Sequence, residues 1–168
     1  MTVRTLHPQA LTAEAFAPYG QVVQARAGAS GRAINAGTTE RFDLVDDLQL
    51  HAAGGRATLA LFRAQARRFP LPLREMERHA LGSQSFVPLG ARRFVLAVAP
   101  AGDPPGAGDL AAFLSDGLQG VVLAPGTWHH ALLAVDAGDF VVIERAGAAV
   151  DCDLHALAVP ALLALAPG

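Results

Sequence analysis

The chain has 168 residues, of which 52% are apolar but only 6% aromatic, and 13 Lys and Arg against 15 Asp and Glu leave a formal net charge of −2. That length suffices for one substantial core, so a single domain over 1–168 is expected. The balanced, sparse charge excludes a basic face for phosphate backbones, and nucleic acid is not an expected partner. The stretch Met1–Pro8 has no apolar h-region, so no secretory signal is expected. The longest apolar run, Ala156 to Ala166, is broken by Pro160 and is shorter than the ~20 residues of a membrane helix, so no membrane partner is expected. Cys152 is the sole cysteine, which rules out an internal disulfide and suits a reducing, cytoplasmic home.

In chain order, Arg4–Leu6 reads as a short opening strand, and Thr12 can cap a brief helix through Phe16 that Pro18-Tyr19-Gly20 stops. Gln21–Gln24 reads as an edge strand, and residues 25–33, rich in Ala, Gly and Ser, as a loop. Ile34–Gly37 and Glu40–Asp43 are turn-rich, with polar groups suited to a cavity mouth. Residues 57–64 form a strand whose alternation puts Ala57, Leu59, Leu61 and Arg63 on one face. Phe69–Leu73 is extended by its prolines, and Glu75–His79, Ser85–Leu89 and Arg93–Ala99 are strand-like. Asp103-Pro-Pro-Gly is a break, and residues 109–115 read as a short helix capped near Asp109. Gln119–Leu123, His129–Val135 and Phe140–Arg145 complete a run of short strands, with the tail 154–165 packing outside as a strand or helix. Many short strands separated by Gly, Pro and Asp predict an all-β sandwich or barrel with a few short helices.

Two clusters carry chemistry. The first is Glu77-x-His79-x4-Gln84; on a strand, residues two apart share a face, so Glu77 and His79 point together, and Gln84 can return from the next strand. The second is Gly120 to His130, containing Pro125-Gly126-Thr127-Trp128-His129-His130. Adjacent residues alternate, so His129 and His130 cannot both face inward, and the Pro-Gly corner favours His129. Two imidazoles, a carboxylate and an amide oxygen thereby converge. The candidate ligands Glu77, His79, Gln84 and His129 suit one divalent metal such as zinc, nickel, manganese or iron, the amide being the weakest donor. The blander readings are a solvated polar strand face for Glu77 and His79, and rim packing for Trp128. Arg63, on an otherwise apolar face, needs a partner if buried, either Glu77 or an anionic ligand.

This two-motif arrangement resembles that of the cupins, so a cupin-like double-stranded β-barrel, or jelly roll, is the implied fold. More specifically, the chain resembles the ureidoglycolate lyase family, formerly called ureidoglycolate hydrolase. The resemblance runs through residues 11–20, Ile34–Gly37 with Glu40-Arg41-Phe42, Phe62–Gln65, Glu77–Pro88, Gly120-Val121 with Trp128-His129-His130, and Asp151-Cys152-Asp153. The Ala/Gly-rich loop at 25–33 and the Pro/Gly turn at 102–108 depart from it. It implies a homodimeric carbon–nitrogen lyase of allantoin and purine degradation that splits ureidoglycolate into glyoxylate and urea. It also implies a metal, nickel being the one named for the family, and no organic cofactor.

The reaction requires removal of the hydroxyl proton while the C–N bond breaks, and delivery of a proton to the departing urea. Glu77, His79 and His129 are the candidate catalytic groups, as base, ligands or proton carriers. Arg63, or else Arg41, suits the substrate carboxylate through a two-point contact, Asn35 and Gln84 suit the urea end, and Trp128 is a candidate substrate contact. Two other readings compete: an amidohydrolase acting on the same substrate with release of ammonia, and a non-catalytic cupin module that binds a small carboxylate.

Overall fold

In a computed structural model describing residues 3–25 and 28–166, almost all regular structure is strand. Fifteen strands are numbered in chain order: β1 Thr5–Leu6, β2 Gln9–Ala10, β3 Gly20–Val23, β4 Arg32–Ile34, β5 Thr39–Arg41, β6 Arg56–Ala64, β7 Leu71–Arg78 and β8 Gln84–Pro88. The remainder are β9 Phe94–Ala99, β10 Ala111–Leu114, β11 Gly120–Leu123, β12 Trp128–His129, β13 Leu133–Ala134, β14 Gly138–Ala146 and β15 Asp153–Leu163. A single α-helical turn, Ala13–Phe16, is capped by Thr12 Oγ1 accepting from the Ala15 amide, as the sequence predicts.

One sheet runs β1-β15-β7-β12-β9-β10-β2, with β13 also pairing β9; a second runs β3-β11-β8-β14-β6; β4 and β5 form a separate hairpin. The first sheet is curled and is buried on both faces along its central strand. Along β9 every residue is buried, with Phe94, Leu96 and Val98 on one side and Val95, Ala97 and Ala99 on the other. The first set meets Phe86, Val121, Leu123, Phe140 and Val142 of the second sheet, so this core lies between the sheets. The other set packs with Leu73, Met76, Trp128, Ala161 and Leu163, all from the first sheet as it curls. The all-β, cupin-like class expected from the sequence is the one observed.

The expected helix at 109–115 is instead a single 3-10 turn followed by strand β10, which pairs antiparallel with β9. The reason is burial on both sides: Ala112 joins one core and Phe113 the other, producing a short continuous apolar run whose period cannot distinguish strand from helix. The tail is a strand, β15, paired with β7 and, in parallel, with β1; its register shifts between Ala156 and Ala161. The turn-rich 34–43 region is the β4–β5 hairpin, tightened by Asn35 and Ala36 in the left-handed region. Of the loop expected at 25–33, residues 26 and 27 lie outside the described residues.

Candidate active site

The site is built at the end of β7, where backbone pairing and side-chain alternation act together. Met76 faces the core within the curled sheet, so its neighbour Glu77 faces the interior between the sheets. On β12, Trp128 pairs with Ala99 and His129 with Val98, and on the other side His129 stands opposite Glu77. Trp128 therefore joins one core while His129 faces the same interior as Glu77. His129 is 1% exposed, and the neighbouring His130 turns its Nδ1 to the Ala131 carbonyl.

His79 follows β7 by one residue and points with Glu77. Its position is fixed from two sides: its carbonyl accepts from the Gly126 amide at 2.8 Å, and its Nδ1 lies 2.6 Å from the Asp151 carbonyl. The first bond is made by the Pro-Gly corner, with Gly126 at φ +84, and ties the two sequence clusters together. The second decides the tautomer. A carbonyl can only accept, so Nδ1 carries the proton and Nε2 keeps its lone pair. Asp151 is itself anchored, its carboxylate accepting from the Leu81 amide at 2.9 and 3.1 Å.

Glu77, His79 and His129 can each place one ligand atom within 4.8 Å of the others'. The imidazole rings lie 5.2 Å apart, and Glu77 Oε1 lies 3.7 Å from His129 Nδ1. Burial first, and the adjacent His79 second, together push the His129 imidazole down to about 3. His129 is consequently neutral near pH 7, and its approach to Glu77 is not an ion pair. The Nε2 atoms of both histidines are buried without a hydrogen-bond partner. Two bare imidazole nitrogens beside a carboxylate, one ring held by a backbone carbonyl through its other nitrogen, form the donor set of a divalent transition metal. The residues present fit that group.

Gln84 opens β8 on the second sheet's inner face, two residues before the core residue Phe86. Its amide nitrogen donates to Glu144 Oε2 at 2.8 Å, and its Oε1 is buried without a donor.

The remaining candidates lie elsewhere. Arg63 is on the outer face of β6, with its side chain 80% exposed and joined to Asp139, not Glu77, by two bonds of 2.8 and 3.1 Å. Alternation groups it with Leu59 and Leu61 as predicted, but that face looks outward. Arg41 pairs with Asp43 at 2.7 Å on the exposed hairpin, where Asn35 is also exposed and faces Thr39. The groove of about 870 Å³ beside this hairpin is lined by Arg32, Arg41 and Phe42 and includes none of Glu77, His79 or His129. Trp128 is 2% exposed; its indole N–H reaches the Gly102 carbonyl at 3.3 Å, and the Arg78 guanidinium sits 4.6 Å from its ring centroid. It packs within the core of the curled first sheet. Sequence reasoning did not single out Glu144 or assign a role to Asp151. The flanking Asp151-Cys152-Asp153 match hinted at the latter, whereas nothing local marked Glu144.

Comparison with known proteins bears on this geometry. The family model described as ureidoglycolate lyase matches residues 3–164. A Burkholderia cepacia protein named ureidoglycolate lyase is 49% identical over 151 residues, covering 88% of this chain and 84% of that one. Proteins of the same name from Pseudomonas entomophila and Azotobacter vinelandii are 41% and 42% identical, over 98% and 91% of this chain and 99% and 92% of theirs.

Proposed function

The chain belongs to the ureidoglycolate lyase family, and on that footing we propose that it is a carbon–nitrogen lyase splitting ureidoglycolate into glyoxylate and urea. The observation that carries this reading is the convergence of Glu77, His79 and His129 with both Nε2 atoms buried and unpartnered.

In the substrate one carbon bears a hydroxyl, a carboxylate and a ureido nitrogen. Cleavage moves the hydroxyl proton to that nitrogen as the C–N bond breaks and the C–O bond becomes a carbonyl. Glu77 is suited to take the proton at a carboxylate oxygen and hand it to the departing nitrogen, so a single group serves as base and then acid. His129, neutral by burial, cannot act as the acid near pH 7, which leaves it a lone-pair donor. His79 is held in the matching tautomer by Asp151. His79, His129 and Glu77 would hold a divalent metal, which would supply acidification of the substrate hydroxyl. Nickel is the family's expected metal, and the donors suit zinc and manganese as well.

We read residues 1–168 as one such domain, cytoplasmic and homodimeric, serving allantoin breakdown. The lone Cys152 supports a reducing compartment, and among the described residues no helix is long and apolar enough to cross a membrane. Leu59 and Leu61, 74% and 52% exposed side by side on β6, support an apolar surface that a second copy would cover.

The test is product analysis on purified protein given ureidoglycolate, before and after chelation. Urea and glyoxylate forming faster than spontaneous breakdown is the expected result. Ammonia in place of urea, or no acceleration, overturns it.

A further inference from the structure

Gln84 and Glu144 stand opposite each other on β8 and β14, and both belong to the interior-facing rows of the second sheet. Gln84 is only 6% exposed, so its amide was withdrawn from water on folding and both ends need partners. One end has a partner: Nε2 donates to Glu144 Oε2 at 2.8 Å. An ionised carboxylate offers lone pairs and no proton, so the NH2 group must occupy that side. The planar amide then directs Oε1 the opposite way, where it is buried with no donor. Had the partner been a donor, the amide would sit reversed and present N–H to the interior.

We propose that Glu144 is a positioning residue: it fixes the polarity of the Gln84 amide so that an acceptor faces the interior shared with Glu77, His79 and His129, where it receives an N–H of the ureido group. This rests on the proposed lyase reading for the identity of the ligand and deepens it by assigning recognition of the urea end. Urea offers only N–H donors apart from its carbonyl oxygen, whereas the other product, glyoxylate, has none on its carboxylate or carbonyl. A site that buries an acceptor for such a donor discriminates strongly against ligands lacking it.

The experiment titrates the full chain with urea and, separately, with glyoxylate, following binding by NMR in wild type, Glu144→Gln and Glu144→Asp. Thermal unfolding of each variant checks folding. Glu144→Gln is isosteric but can donate as well as accept, so the Gln84 amide is free to reverse. Its affinity for urea should fall about tenfold while that for glyoxylate stays within about twofold, a selective loss on the scale of one hydrogen bond. Glu144→Asp keeps an acceptor-only partner and should retain the preference for urea. Parallel losses for both ligands, no loss in Glu144→Gln, or equal losses in the two variants would overturn the assignment. Turnover is measured separately: wild type that binds urea selectively but makes none from ureidoglycolate would sink the lyase reading and leave the positioning role standing.

Discussion

The depressed basicity of His129 makes a quantitative statement about acid stability. In the folded protein burial holds this imidazole neutral down to about pH 3, whereas in the unfolded chain it takes up a proton near the ordinary value of 6.5. Above 6.5 both states are neutral and His129 contributes no pH dependence. Between 6.5 and about 3 the unfolded state binds the extra proton, so stability falls as pH falls, by up to about 1.4 kcal/mol per pH unit. The full window amounts to about 5 kcal/mol, and the part between pH 6.5 and 4.5 to about 2–3 kcal/mol. Other groups titrate in the same range, so the informative quantity is the difference between wild type and His129→Asn, which cannot take up the proton. Guanidinium unfolding at half-unit pH intervals, with chelator present to remove metal linkage, measures it. The variant should be less stable at pH 7 because its smaller side chain leaves a void, yet its curve should be flatter on the acid side. Two parallel curves would refute the claim that His129 is held neutral by burial.

Three further outcomes are expected. His79→Ala and His129→Ala should each abolish tight metal uptake and lower the rate of urea formation by at least about a hundredfold, with the near-native far-UV spectrum retained, read by metal analysis and product assay. Arg63→Ala breaks a pair that is mostly in solvent and should leave the midpoint of a denaturant titration essentially where it is in wild type. Gly20→Ala should be severely destabilising by the same assay, about 3 kcal/mol or more, because a Cβ there would lie 1.9 Å from the Val122 carbonyl oxygen, which is backbone of the paired strand and cannot swing away.

The residue pattern by itself determined which side chains share a face: Glu77 with His79, His129 apart from His130, Leu59 with Leu61 and Arg63. That follows from the two-residue period of a strand, a local property of the backbone. It also determined the short capped helix at Ala13–Phe16 and the reversals at Gly and Pro, which need only neighbouring residues. Which face is inside is a different matter, because it depends on what packs above. Alternation placed Arg63 correctly among its strand neighbours, yet only the sheet topology put that row in solvent beside Asp139. Within the expected helix at 109–115, Ala111–Leu114 became strand because β9 offered an edge and two cores offered burial, neither visible in the segment itself. The pairing of Gln84 with Glu144, 60 positions apart, was decided by register alone. Hydrogen-bond polarity across a sheet has no signature in either strand, since it exists only once the two are aligned.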